Sequence, residues 1–256
     1  MLNIVKIGGN VINDPVKLNE FLTVFASIEG PKILVHGGGR EATELSGRLG
    51  IETKMIDGRR VTDEATLDVV TMVYAGLVNK RIVARLQDKD CNALGLTGAD
   101  GALIPASRRP AQPVDYGFVG DIDPEKINTD TLITLISLGL TPVFSAICWQ
   151  PGGSLLNCNA DSVASALAVA CASKTPVRLI YCFEKPGVMT DVNNDSSLIS
   201  LITPSIFYQL VEEGKISGGM LPKVSNALAA VEKGVAEVRI CDAANLLSSS
   251  GTTVKK

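Results

Sequence analysis

Two lysines, an aspartate, an arginine and three glycine clusters are the residues of this chain whose chemistry needs explaining. The clusters are Gly8-Gly9, Gly37-Gly38-Gly39 and Gly218-Gly219, each after an apolar run or before a helical pattern. Glycine lets an anion approach backbone N–H groups, and a helix N-terminus adds a favourable dipole. Any one cluster reads equally well as a tight turn; three at matching positions favour anion binding. Lys6 closes the first apolar run beside Gly8-Gly9, and Lys223 falls in the first turn of a helix opened by Gly218-Gly219-Met220-Leu221-Pro222. A cation there opposes the helix dipole unless a polyphosphate is bound; an exposed surface lysine is the alternative. Asn157-Cys158-Asn159-Ala160-Asp161 precedes a small-residue helix. Local features favour an Asn cap with Asp161 in the first turn; the alternative has Asp161 orienting the lysines and Asn157 holding a substrate. Arg60 is either an exposed arginine or a guanidinium gripping a carboxylate through two hydrogen bonds.

Several function classes are disfavoured. No G-x-x-x-x-G-K-[ST] pattern occurs, and Gly214-Lys215 is followed by Ile216, which has no hydroxyl for a metal. Gly37–Ala42 fits a dinucleotide fingerprint weakly, but its acidic partner would be Asp57, which falls in a hairpin turn. One histidine, His36, and six cysteines without a C-x-x-C pair make a zinc site improbable. A net charge of −3 without a basic patch argues against nucleic acid and anionic membranes as partners. The cysteines read as reduced core residues, and MLNIVKIGGN holds no signal-peptide core. The longest apolar stretch, Val163–Ala172, is too short to span a bilayer. A cytoplasmic protein is therefore expected.

The elements that must position these residues follow from periodicity. Short apolar runs at Leu2–Ile7, Ile33–His36, Ala93–Leu96, Thr141–Ile147, Val177–Cys182 and Val235–Cys241 read as buried strands. They alternate with helical patterns at Val16–Ser27, Arg40–Leu49, Thr62–Gln87, Asp130–Leu138, Ala160–Ser173 and Pro222–Lys233. Such alternation implies a single α/β domain, a three-layer αβα sandwich on a mostly parallel sheet, with ligands beyond the carboxyl ends of the strands. Hydrophobic residues make up 46% and aromatic residues 4%, so its core must be aliphatic. Asp57-Gly58 reads as a type I′ hairpin turn. A weaker strand pair is expected at Ala102–Pro105 and Phe118–Asp121, and Cys148-Trp149-Gln150 reads as a surface loop or as a contact to a substrate tail. Thr62–Gln87 is apolar over so wide an arc that one sheet face should not cover it.

Together, Lys6–Asn10, His36–Gly39, Gly58–Thr62, Asn157–Asp161 and Gly218–Lys223 resemble the amino-acid kinase superfamily, within it the N-acetylglutamate kinases. The order and spacing of the blocks, across nearly the whole chain, carry the resemblance. It implies transfer of the ATP γ-phosphoryl group to the γ-carboxylate of N-acetylglutamate in arginine biosynthesis; N-succinylglutamate, or a non-catalytic amino-acid-binding relative, is the alternative. Lys6, Lys223, Asp161 and Gly9 would then be catalytic. Gly38, Gly39, Arg60 and Asn157 would hold the acylated amino acid, and Gly8, Gly218 and Gly219 the ATP. Mg²⁺ would be held mainly by ATP phosphates. Residues 1–174 would form the acylglutamate-binding and dimerisation lobe, residues 175–256 the ATP-binding lobe, and the protein a homodimer. The chain opens almost at its first strand, without the helical extension that links some relatives into arginine-inhibited hexamers, so strong arginine inhibition is not expected. Cys182–Gly187 lacks the family's usual nucleotide-loop aspartate, and Cys148-Trp149 stands where glycine is usual.

Overall fold

A computed structural model describes residues 1–191, 194–216, 220–248 and 250–256, without the side chains of Asp195 and Pro222. The centre is an eight-stranded sheet built from β1 (Leu2–Ile7), β2 (Lys32–His36), β3 (Ala93–Leu96), β4 (Thr141–Ser145), β5 (Val177–Phe183), β6 (Leu201–Ile202), β7 (Glu237–Asp242) and β8 (Thr252–Val254). Their order across the sheet is β6-β8-β7-β5-β1-β2-β4-β3. From β7 to β3 all neighbours are parallel; β8 runs antiparallel to β7, and β6 parallel to β8. Every residue of β1, β2 and β4 is buried, so both sheet faces are covered.

The register shows which layer lies where. Paired residues of parallel strands point the same way, and Ile7 pairs with His36. Lys6 therefore points to the opposite face from His36. Lys6 meets Asp161 on the helix Ala160–Ala172, and His36 meets Asn79 on the helix Asn79–Gln87. The first layer also holds Met220–Glu232, packed on Ala160–Ala172 and β7; the second holds Pro15–Ala26, packed on Asn79–Gln87. The expected three-layer α/β architecture is thus what forms.

The Asp57-Gly58 turn forms as expected, with φ of 48° and 73°, between the short strands Met55–Ile56 and Arg59–Arg60. Other segments differ from expectation. The second hairpin pairs Ala106–Arg108 with Gly120–Ile122, a few residues beyond the expected run. Cys148-Trp149-Gln150 is not a loop: Ile147–Gln150 pairs antiparallel with Ser154–Asn157. The short strands β6 and β8 at one end of the sheet and the helix Pro204–Glu212 are additional. Thr62–Gln87 starts at the Asp63 cap and is α-helical over Glu64–Thr71 and Asn79–Gln87. Between them, Met72–Val78 takes the wider π form.

Candidate active site

Two pockets open at the carboxyl ends of the central strands. β1 and β5 are neighbours there: Ile7 pairs with Cys182, and the Gly8 N–H donates to the Cys182 carbonyl at 2.8 Å. A β-carbon on Gly8 would lie 3.1 Å from that oxygen, so the turn is too close-fitting for a side chain without a shift. Gly9 opens the short helix Gly9–Ile12, with nothing within 4 Å of where its β-carbon would be. Gly8, Gly9, Phe183, Lys185, Met220 and Lys223 line one pocket. Gly218 and Gly219, expected beside them, lie outside the described residues.

Lys6 Nζ lies 2.8 Å from Asp161 Oδ1. The contact is an ion pair without hydrogen-bond angles, since that buried oxygen takes part in no hydrogen bond among the described residues. Asn159 caps the helix, accepting from Asp161 N and Ser162 N. Capping and orientation of a lysine are therefore both served: the cap fixes the first turn, and the turn aims Asp161 at Lys6. Lys223 Nζ lies 3.8 Å from the centroid of the Phe183 ring, and Lys6 Nζ 4.9 Å from the same centroid. Burial holds the Lys223 ammonium below the usual lysine range; Asp161 opposes that shift and Lys6 adds to it.

The second pocket is walled by the glycine triplet, Arg59, Arg60, Tyr74, Asn157 and Ala160. Arg60 is buried, not exposed. Its Nη2 donates to Gly39 O and Thr43 Oγ1, both at 2.8 Å, and its Nη1 to Thr53 Oγ1 at 3.2 Å. Among the described residues no carboxylate lies within 4.0 Å of it. A buried guanidinium with neutral partners carries a charge that the binding of an anion would compensate. Asn157, ending its hairpin strand, donates to Thr62 Oγ1 at 3.0 Å, and Thr62 donates to Arg60 O at 3.1 Å. Asn157 and Arg60 are thus coupled through Thr62.

Sequence reasoning missed Tyr74, Thr62, His36 and Phe183. Tyr74 comes from the π segment and lies against the triplet: a β-carbon on Gly38 would approach its ring to 2.8 Å. The His36 ring donates from Nδ1 to Gly37 O at 2.7 Å and accepts at Nε2 from Asn79 Nδ2 at 3.0 Å. Burial drives its pKa down to about 4, the Gly37 contact opposing and Lys80 adding to the shift. This histidine is a neutral strut beneath the triplet. Among the described residues no group of three or more His, Cys, Asp or Glu is placed to hold a metal.

A sequence profile described as the amino acid kinase family matches residues 1–242. An acetylglutamate kinase of Phocaeicola vulgatus is 51% identical over 255 residues, covering 100% of this chain and 98% of its own length. Another, of Cytophaga hutchinsonii, is 50% identical over 247 residues, or 96% of this chain and 93% of its own. A crystal structure of a Streptococcus mutans protein superposes with a TM-score of 0.77 at 25% identity, covering 99% of this chain and 98% of that one. The likeness therefore spans both pockets and is not confined to one motif.

Proposed function

The chain belongs to the amino acid kinase family, and from that premise we propose that it is an acetylglutamate kinase, moving the γ-phosphoryl group of ATP to the γ-carboxylate of N-acetylglutamate, a step of arginine biosynthesis. One observation carries the reading: a pocket with a buried, carboxylate-free Arg60 and a lysine-lined pocket open at the ends of the neighbouring strands β2 and β1, and the Lys6–Asp161 pair links β1 to the helix whose first residue, Ala160, lines the Arg60 pocket.

The nucleophile is a carboxylate, ionised at neutral pH, so the reaction needs no general base. That fits a chain whose one histidine is buried, neutral and hydrogen-bonded at both ring nitrogens. The carboxylate oxygen forms a bond to the γ-phosphorus as the bond to the β–γ bridging oxygen breaks, releasing ADP and an acyl phosphate. Catalysis is then positioning plus charge neutralisation. Lys6 and Lys223 neutralise the transferring group, the Gly9 N–H donates to it, and Asp161 holds the lysines. Arg60 and Asn157 grip the α-carboxylate and the acylated amide, with Gly38 and Gly39 behind them. ATP lies in the pocket of Gly8, Gly9 and Lys223; the family resemblance assigns Gly218 and Gly219 to the same ligand. Mg²⁺, held by ATP phosphates and water, supplies further neutralising charge. Residues 1–174 form the acylglutamate and dimerisation lobe and residues 175–256 the ATP lobe of a cytoplasmic homodimer.

Arg59 favours a second reading. It lines the acylglutamate pocket beside Arg60, whereas exposed Arg40 pairs with Glu44. A second cation suits an acyl group carrying its own carboxylate, as in N-succinylglutamate. ADP release should be measured with N-acetylglutamate, N-succinylglutamate and free glutamate. Turnover with an acylated substrate and none with free glutamate is expected. A succinyl preference above about tenfold in kcat/KM, near 1.4 kcal/mol, would replace the acetyl assignment; no turnover with either would leave a binding protein.

A further inference from the structure

Lys223 lines the phosphate pocket together with Glu184 and Lys185, and Lys6 lies beside it on β1; among the described residues Asp161 is the carboxylate that contacts Lys6 and acts on Lys223. What else holds them together is Phe183, the last residue of β5. Its ring centroid lies 3.8 Å from Lys223 Nζ and 4.9 Å from Lys6 Nζ. Both distances are inside the ~6 Å within which the negative face of an aromatic ring attracts a cation. The ring is itself fixed. Tyr181, two residues back on the strand, stacks on it with centroids 6.0 Å apart and planes 12° apart. Gly8, bonded to the neighbouring Cys182 carbonyl, leaves no side chain between the ring and β1.

We propose that Phe183 is a positioning residue for phosphoryl transfer: its ring gathers the Lys6 and Lys223 ammoniums beside the phosphate pocket, as a partner that adds no charge of its own. An acid at this position would pair with the lysines but add to the negative charge of Glu184, which already lines the pocket. The π face attracts the cations while adding no net charge, and leaves their N–H donors for phosphate oxygens. Without the ring, Lys223 would be tethered only by its own flexible stem and by Asp161, which already binds Lys6.

The inference rests on the kinase reading for its kinetic arm and on nothing but the fold for its spectroscopic arm. Phe183→Leu keeps apolar bulk and removes the ring; Phe183→Tyr keeps the ring. Phe183→Leu should lower kcat about tenfold, a change of ~1.4 kcal/mol in barrier. The KM for the acylglutamate, bound in the other pocket, should move less than about twofold, and Tyr should restore kcat to within about threefold of the parent. Should Leu unfold the protein, Phe183→Met carries the same comparison. Separately, the ε-methylene protons of Lys6 and Lys223 should resonate upfield in the parent, shielded by the ring, and return to ordinary positions in Phe183→Leu, with no substrate present. Leu as active as the parent, or Tyr as impaired as Leu, overturns the proposal, as does the absence of the upfield shift. A parent protein with the upfield shift but no turnover on any acylglutamate supports the gathered lysines and overturns the kinase reading instead.

Discussion

Lys6 and Lys223 are expected to act on the phosphoryl group, and replacing either by Ala should lower kcat about 10²–10³-fold, the scale for losing one preorganised charge donor. Near-normal turnover in either variant would end that assignment. Lys223 adds a pH signature. Its lowered pKa means that the free enzyme loses this positive charge at a pH below the usual lysine range. kcat/KM for ATP should therefore fall as pH rises toward that range, and kcat should fall only at higher pH, because bound polyphosphate restores the charge. Superimposable alkaline limbs would place the titrating group elsewhere. Arg60→Ala should weaken acylglutamate binding by about 2–4 kcal/mol, roughly 30- to 700-fold in KM, with little change for ATP. An unchanged KM for the acyl amino acid would show that Arg60 does not touch it. Lys6, Asp161, Arg60 and Asn157 could be singled out because the order and spacing of their blocks carry the family resemblance; local features alone favoured an Asn cap with Asp161 in its first turn and left Arg60 open. Phe183 and Tyr74 were not: an aromatic in an apolar strand or helix carries no local mark separating it from core, and only the tertiary structure puts a lysine or a glycine triplet against it.

At the scale of elements, the strands that carry the site were legible because fully buried parallel strands are apolar at every position; β1 spans Leu2–Ile7 as read. The short strands β6 and β8 escaped notice, being two and three residues long and held by pairing rather than by composition. The π segment was equally hidden, since its residues keep a helical apolar pattern while their hydrogen bonds shift register. Its consequence is specific: it brings Tyr74 to Gly38. Beneath the same triplet, His36 joins β2 to the helix Asn79–Gln87, and its titration tests that strut. The unfolded chain takes up a proton near pH 6.5, the folded one only near pH 4. Between these values the unfolded state binds more protons, so stability is full above pH 6.5 and is lost as pH falls toward 4. The depression of the pKa corresponds to about 3 kcal/mol. Urea unfolding at pH 7 and pH 4.5 should show this loss in the parent and a clearly smaller one in His36→Gln, whose side chain does not titrate. Equal losses in the two proteins would mean that His36 is protonated in the fold.

For the whole molecule, the question is which surface a second copy covers. The wide apolar arc of Thr62–Gln87 is largely covered within one chain: Val69, Val70, Val73, Val78, Ile82 and Leu86 are all buried. What remains is narrower than the sequence suggested, namely Met72 at 53% exposure and Leu77 at 42%, in or beside the π segment. Met72 also lines a shallow depression with Leu67, Asp68, Thr71 and Leu155, the last from the hairpin strand that ends in Asn157. Two elements that line the Arg60 pocket thus also present Leu67, Met72 and Leu155 together at this outward depression. Water contact there costs free energy that a symmetric copy would remove, helix against helix. The protein is therefore expected to be a homodimer by light scattering, and the double substitution Met72→Asp and Leu77→Asp should shift it to a monomer with an unchanged circular dichroism spectrum. Both sites are solvent-facing in the isolated chain, so the substitutions should cost little folding stability on their own. A parent that scatters as a monomer, or a double variant that stays dimeric, would place the subunit contact on another face or remove it altogether.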